Sequence, residues 1–398
     1  MVKELIVIRD GSELSLKASF VFQLIKIRSD MRFLFVFRSE KDKFREKWNY
    51  NCVELATSVS GIFLYYFLTI LNPKDIRDAI IRRFHRTKTH ILLQEGSFSQ
   101  LTHALYQYFG KSARTDRLMV YLEKQNLPKI FLVDEFLSLN SASLKMIKHF
   151  GPVVYISQDL AYNHFSFSGN YVAKRLVYKL ERDAVTSADL VIACSETERL
   201  KYIEMGAAKA VFYPNIYSIP EFDPCEKEPE PSIVIALPKY WGPRAEKSLK
   251  EIFNALSHVN KRIKVYMIGM KPGQIPKNIE LKYLEHIPDK LEYLRTLSRS
   301  WAGINVGMHL GGTNERKYDY AMAATVVFSD VLGARGDLLP NECTYVDGHD
   351  LAAKLEQFFV LEKKQIAIMG IQNRKQALSL ACRQQESLLE AVNDIIKT

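Results

Sequence analysis

The chain has 398 residues, with 55 Lys+Arg against 45 Asp+Glu and a formal charge of +10. Its 47% hydrophobic and 25% charged content is that of a globular protein and excludes a disordered or fibrous one; at roughly 150 residues per domain the length predicts two or three domains. Residues 1–150 hold 24 of the basic and 15 of the acidic residues, which excludes a uniformly basic, histone-like chain and predicts one basic face on the first domain.

The N-terminus, MVKELIVIRDGSE, carries charge on both sides of a short apolar run and reads as a first strand, not a signal peptide. Nearly continuous apolar runs follow at Ile6–Ile8, Phe33–Phe37, Ile91–Leu93, Ile130–Val133, Val153–Ile156 and Leu190–Cys194. Such runs are expected of parallel strands buried on both faces. Helical stretches such as Ser97–Phe109 and Ser141–His149 alternate with them, so the series is βαβ. Between these lies the longest apolar run, Gly61–Leu71, which is too short to span a membrane as a helix.

Pro214, Pro220, Pro224, Pro229 and Pro231 punctuate the next stretch around CEKEPEPS, a pattern that marks a linker. A second βαβ series then runs through Ser232–Leu237, a helix over Arg244–Leu256, Ile263–Ile268, Leu291–Arg299, Ala302–Val306, a helix over Lys317–Ala323 and Val326–Phe328. The expected organisation is a first Rossmann-like domain over 1–218, a linker over 219–231, a second domain over 232–376 and a C-terminal helix over 377–398 that packs back on the first domain. Two doubly wound α/β domains joined in this way would face a cleft between the carboxyl ends of their sheets, where ligands bind in such folds.

Five dispersed cysteines, Cys52, Cys194, Cys225, Cys343 and Cys382, form no CxxC pair and fit a reducing, cytoplasmic compartment. Cys194 reads as a small core residue of its strand. No HExxH, DxD-like pair or Cys/His cluster is present, so neither a protein-held metal nor a cofactor is expected. No GxGxxG follows the first strand, which disfavours a nicotinamide dehydrogenase.

The densest chemistry lies in His309–Asp330. A strand runs into Gly311-Gly312, and a helix starts near Asn314 or Glu315. Glycines ahead of a helix N-terminus let backbone N–H groups approach an anion. Arg316 and Lys317 occupy the first turn, where helix energetics favours acids, so an anionic ligand such as a diphosphate explains them better. Asp319 shares a helix face with Arg316. It is placed either to accept the hydroxyls of a ribose or simply to pair with Arg316 on a solvated helix.

Two segments here carry a resemblance. Ala188-Asp-Leu-Val-Ile-Ala-Cys-Ser-Glu-Thr-Glu198, with Gly206 and Val211-Phe-Tyr-Pro-Asn215, resembles the "ADxVIAxSE … G … V … PN" passage of the retaining glycosyltransferases of family 4. Arg316-Lys-Tyr-Asp-Tyr-Ala-Met-Ala-Ala-Thr-Val-Val327 resembles their "KxxEYMAxGKPVV". Ser329–Arg335 is similar to the loop before "E-x-hydrophobic", and Asp347-Gly-His-Asp350 to a later "xxGD" before a helix. The resemblance implies the GT-B fold and transfer, with retention, of a sugar from a nucleotide-sugar donor to a hydroxyl acceptor, lipid-linked or glycan. It puts Arg316 at the phosphate-binding position and Asp319 at the ribose-binding position. The pattern departs from the family where its first acid, eight residues before Asp319, is replaced by Gly311, and where the Gly-Lys-Pro turn becomes Ala324-Thr325-Val326.

The same resemblance adds Arg244 and Lys247 as cations facing the donor diphosphate; His309 at a strand end, and Gly311, Gly312 and Thr313 ahead of the helix, are further donor-site candidates. Gly11 and Ser12 stand where the family has a glycine loop near acceptor and phosphate. Asp159 and His164, beyond the strand end at Ser157-Gln158-Asp159, are the catalytic candidates. Alternatives on the same fold are an epimerase or hydrolase of nucleotide-sugars and a non-catalytic nucleotide-binding protein. Lys74, Arg77, Arg82, Arg83, Arg86 and Lys88 follow the Gly61–Leu71 run. That succession suits either peripheral binding to an anionic membrane surface or a buried helix beside a solvated one. No nucleic-acid-binding motif accompanies it.

Overall fold

The computed structural model describes residues 4–9, 21, 32–37, 51–54, 116–124, 128–134, 141–157, 171–214, 222–237, 242–305, 315–331 and 339–397. The chain divides into two units. The first comprises Met1–Cys194, Glu198–Tyr213 and Glu386–Thr398; the second comprises Ser195–Thr197 and Pro214–Gln385.

In the first unit the strands β1 (Glu4–Arg9), β2 (Arg32–Phe37), β3 (Asn51–Glu54), β4 (Lys129–Asp134), β5 (Val153–Ile156), β6 (Leu190–Ala193) and β7 (Ala210–Phe212) form one sheet, ordered β3-β2-β1-β4-β5-β6-β7. Every pairing is parallel. Both faces are covered, so the central strands are apolar at successive positions. Ile6, Ile8, Phe131, Val133, Tyr155 and Val191 face one side. There they meet the helices α1 (Asp116–Glu123), α2 (Ser141–Lys148), α3 (Tyr171–Ser187) and α4 (Glu196–Met205) through Leu118, Leu122, Leu144, Ile147, Val185 and Tyr202. Leu5, Val7, Leu132, Val154 and Ile192 face the other side. The expected strand Ile91–Leu93 and helix Ser97–Phe109 lie outside the described residues.

The second unit repeats the plan with β8 (Ser232–Leu237), α5 (Gly242–Ser257), β9 (Ile263–Gly269), β10 (Ile279–Leu284), α6 (Lys290–Arg299), β11 (Ala302–Asn305), α7 (Glu315–Met322), β12 (Val326–Asp330), β13 (Cys343–Tyr345) and α8 (Gly348–Phe358). Its parallel sheet has the order β10-β9-β8-β11-β12-β13. Asp289 caps α6 by accepting from the Glu292 N–H at 2.7 Å. Asp347, the first residue of the "xxGD"-like segment, caps α8 by accepting from the Asp350 N–H at 2.9 Å.

The last helix, α9 (Lys363–Lys397), starts well before the expected 377. Ile366 and Ala377 pack on the second unit's two core faces, while Leu388, Leu389, Ala391, Val392 and Ile395 cover the free face of the first sheet.

The proline-rich segment read as a linker is docked along residues 222–231. The Cys225 N–H donates to Ser298 Oγ at 2.8 Å, the Glu228 N–H donates to Arg299 O at 2.8 Å, and the Trp301 indole donates to Glu228 O at 2.8 Å. Lys227 is buried, and its Nζ donates to Ser298 O, Ser300 O and Ala324 O at 2.8, 2.7 and 2.8 Å. Proline keeps the segment extended, and its charges find fixed partners where a free linker would leave them in water. Burial pulls the Lys227 ammonium down from 10.5 to about 7. The three carbonyls, at the negative ends of α6 and α7, offset that cost.

Lys227→Met leaves three buried carbonyls without their donor. It is expected to lower stability by about 3 kcal/mol or more, read as a drop in the urea midpoint at unchanged slope. Ala324 closes α7 with φ 55°, a left-handed conformation that costs a residue with a Cβ about 1 kcal/mol. Ala324→Gly is therefore expected to raise the same midpoint.

Candidate functional site

In the second sheet the strand order reverses between β8 and β11, with β9 and β10 on one side and β12 and β13 on the other. In doubly wound sheets ligands bind at the carboxyl ends of the two strands flanking such a point. Here the two strands pair only at Ala302↔Ile233 and Gly303↔Val234. Beyond that they part, and the side chain of Tyr320 from α7 bridges the opening. The Ala236 N–H of β8 donates to the Tyr320 hydroxyl at 2.9 Å, and that hydroxyl donates to Ile304 O of β11 at 3.3 Å. Burial raises the phenol to about 12, so it stays a neutral group that both accepts and donates. Gly303 makes the fit possible, since a Cβ there would stand 2.5 Å from the Tyr320 ring.

This wedge sets the rotation of α7. Lys317, Tyr318, Tyr320 and Ala321 are buried, and Arg316 and Asp319 emerge partly exposed on one face. The expectation that Lys317 faces an anionic ligand is corrected. Its Nζ lies 2.8 Å from Glu342 Oε2, with side-chain exposures of 3% and 0%. Glu342 Oε2 also accepts from the Leu339 N–H at 3.0 Å, and its Oε1 is buried without a hydrogen-bond partner. Burial pushes the Glu342 carboxyl up, and the Lys317 charge opposes that shift.

The Asp319 carboxylate has partners that the sequence pattern does not reveal. Its Oδ1 accepts from Lys290 Nζ at 2.7 Å, from the first residue of α6. The Tyr293 phenol, one helical turn on, lies within electrostatic reach of the same carboxylate. Burial and the Asp319 charge hold the Tyr293 phenol well above its ordinary range, while the Arg316 charge acts in the opposite sense. Lys290 also lies 5.0 Å from the Tyr293 ring centre. Asp319 is 21% exposed and Lys290 46% exposed.

Of the other expected site residues, Arg244 and Lys247 fall in the first two turns of α5, which follows the carboxyl end of β8. Lys247 is 79% exposed and 3.9 Å from Glu251 Oε1 on the same helix. The side chain of Arg244 and residues Gly11, Ser12, Asp159, His164, His309, Gly311, Gly312 and Thr313 lie outside what the structure describes.

No family model and no curated protein sequence matches the chain. Solved structures do match over its whole length. Sucrose-phosphate synthase from Thermosynechococcus elongatus is similar with a TM-score of 0.62, at 10% identity over 100% of both chains. TarM is similar with a TM-score of 0.61, at 10% identity over 100% of this chain and 99% of that one. HepE from Anabaena, in complex with UDP-glucose, gives 0.56 at 10% identity over 99% and 100%. The fold is GT-B.

In this GT-B chain the cation on the buried side of α7 is structural. Removing one member of a buried ion pair strands the other, at about 3–5 kcal/mol, whereas replacing both with apolar residues is close to neutral. Glu342→Gln is therefore expected to lower the urea midpoint strongly. The Lys317→Met/Glu342→Leu double variant should recover most of that loss.

Proposed function

We propose that the protein is a glycosyltransferase that moves a sugar, with retention, from a nucleotide-sugar donor to a hydroxyl acceptor, lipid-linked or glycan. The observation that carries the reading is the placement of Arg316 and Asp319 on the accessible face of α7, the helix between β11 and β12 in a sheet whose strand order reverses at β11. The similarity to a GT-B structure holding UDP-glucose supports it.

In this reading Asp319 holds the ribose. Arg316 offers a planar fork to the donor diphosphate, and Lys247, Arg244 and the 311–313 backbone share that charge. His309 is assigned to donor binding, and Gly11 and Ser12 to the acceptor and phosphate loop. Cations on the leaving diphosphate stabilise the negative charge that develops as the glycosidic bond breaks. The departing phosphate oxygen takes the acceptor proton on the same face, so no protein nucleophile is required, and Asp159 and His164 orient the acceptor. No metal is needed for this chemistry, and transfer is expected to persist in EDTA.

A thermal-shift panel of nucleotides and nucleotide-sugars is expected to single out one donor family. With that donor, Arg316→Ala and Asp319→Ala, each losing a charge-assisted hydrogen bond, should lower kcat/KM by about 10- to 100-fold while remaining folded. Full transfer activity in either folded variant would remove the assignment.

No helix among the described residues is long and apolar enough to cross a membrane. The basic excess of residues 1–150 and the Gly61–Leu71 run, which lies outside the described residues, support an acceptor met at an anionic membrane surface on the cytoplasmic face. The protein is expected to sediment with vesicles rich in phosphatidylglycerol and to be released as salt rises. Equal binding to neutral vesicles would count against this placement.

A further inference from the structure

A carboxylate offers only acceptors, whereas each hydroxyl of a vicinal diol both donates and accepts. On the accessible face of α7, Asp319 is set beside an ammonium, with Lys290 Nζ and Asp319 Oδ1 2.7 Å apart on two different helices. Tyr293 stands beside both members, its ring 5.0 Å from Lys290 Nζ and its phenol within electrostatic reach of the Asp319 carboxylate. A part-exposed ion pair contributes little to stability, about 0–1 kcal/mol. Stability alone therefore does not account for three convergent groups whose carboxylate remains reachable.

Two of the three ammonium hydrogens and most of the carboxylate's lone-pair sites remain once the 2.7 Å contact is counted. Donor and acceptor thus stand side by side at one edge of the site.

We propose that Lys290 is a specificity-determining residue that works with Asp319 as a diol clamp. The Lys290 ammonium donates to one ribose hydroxyl of the donor nucleotide, and the Asp319 carboxylate accepts from its neighbour. The inference rests on the reading of Asp319 as the ribose-facing residue and adds to it a requirement for the 2′,3′-diol imposed from α6. It also gives Lys290 a task separate from the diphosphate, which belongs to Arg316.

The test uses the full chain in titration calorimetry with UDP, ADP and GDP, then with the 2′-deoxy and 3′-deoxy forms of whichever binds. Wild type is expected to favour the ribonucleotide by about 10-fold over either deoxy form. Lys290→Ala should weaken ribonucleotide binding about 10-fold, yet leave unchanged the affinity for the deoxy form that lacks the hydroxyl it contacts. Lys290→Arg, which keeps a cationic donor, should restore most of the preference. An equal loss for ribo and both deoxy forms would assign Lys290 to general attraction for phosphate and overturn the clamp, as would an unchanged preference in Lys290→Ala. Wild type that binds nucleotide without preferring the diol overturns the clamp alone. A folded wild type that binds none of the nucleotides overturns the donor-site reading with it.

Discussion

The close approach of the Tyr320 ring to Gly303 governs the candidate site. Where β8 and β11 part, a strand N–H and a strand carbonyl lose their ladder partners inside the core, and an unpaired buried group of either kind is costly. The Tyr320 hydroxyl serves both at once. It reaches them only because position 303 has no Cβ. The wedge fixes the height and rotation of α7, and with them the direction in which Arg316 and Asp319 leave the helix.

Two further ties hold the same helix. Lys317 meets Glu342 on the buried side, and Lys227 takes the Ala324 carbonyl just past the C-terminus. Gly370 of α9 abuts that carbonyl so closely that a Cβ would stand 1.9 Å from it. A helix of two turns has little stability of its own. Held at its start by Glu342, at its middle by the β8 and β11 backbone and just past its end by Lys227, it becomes a rigid platform for a site. The residues on its accessible face are then free to be chosen for a ligand.

Much of this was legible in the sequence, for a definite reason. Central parallel strands are buried on both faces, so β1, β4, β5, β6, β8 and β11 stand out as continuous apolar runs. The strands without such a run, β3, β7, β10 and β13, are the four edges of the two sheets. In β10 the part-exposed Glu280 and the exposed Lys282 break the apolar signal. The candidate site divides in the same way. Arg316 and Asp319 sit three apart on one helix, a local pattern. Lys290 and Tyr293 join them from a separate helix, and no local spacing encodes that meeting.

Charge shows the limit most sharply. Residues 219–231 read as a linker because proline and charge dominate them, yet within them Lys227 and Glu228 are firmly held by partners in the second unit. Lys317 reads as a phosphate-facing cation because it lies in a first helical turn, yet its partner is a carboxylate on a distant loop. Lys354 takes Asp350 and the Thr344 carbonyl at the start of α8. Each of these lysines fastens a loop or helix end to another segment, and a composition count gives such a cation the same weight as one that meets a diphosphate. The near-neutral balance of the second half of the chain therefore understates how specialised its cations are. What separates the two kinds is burial together with the identity of the acceptor. A buried lysine facing carbonyls or a buried carboxylate is already satisfied by the fold. A part-exposed one, such as Lys290 beside Asp319, still has hydrogens to give.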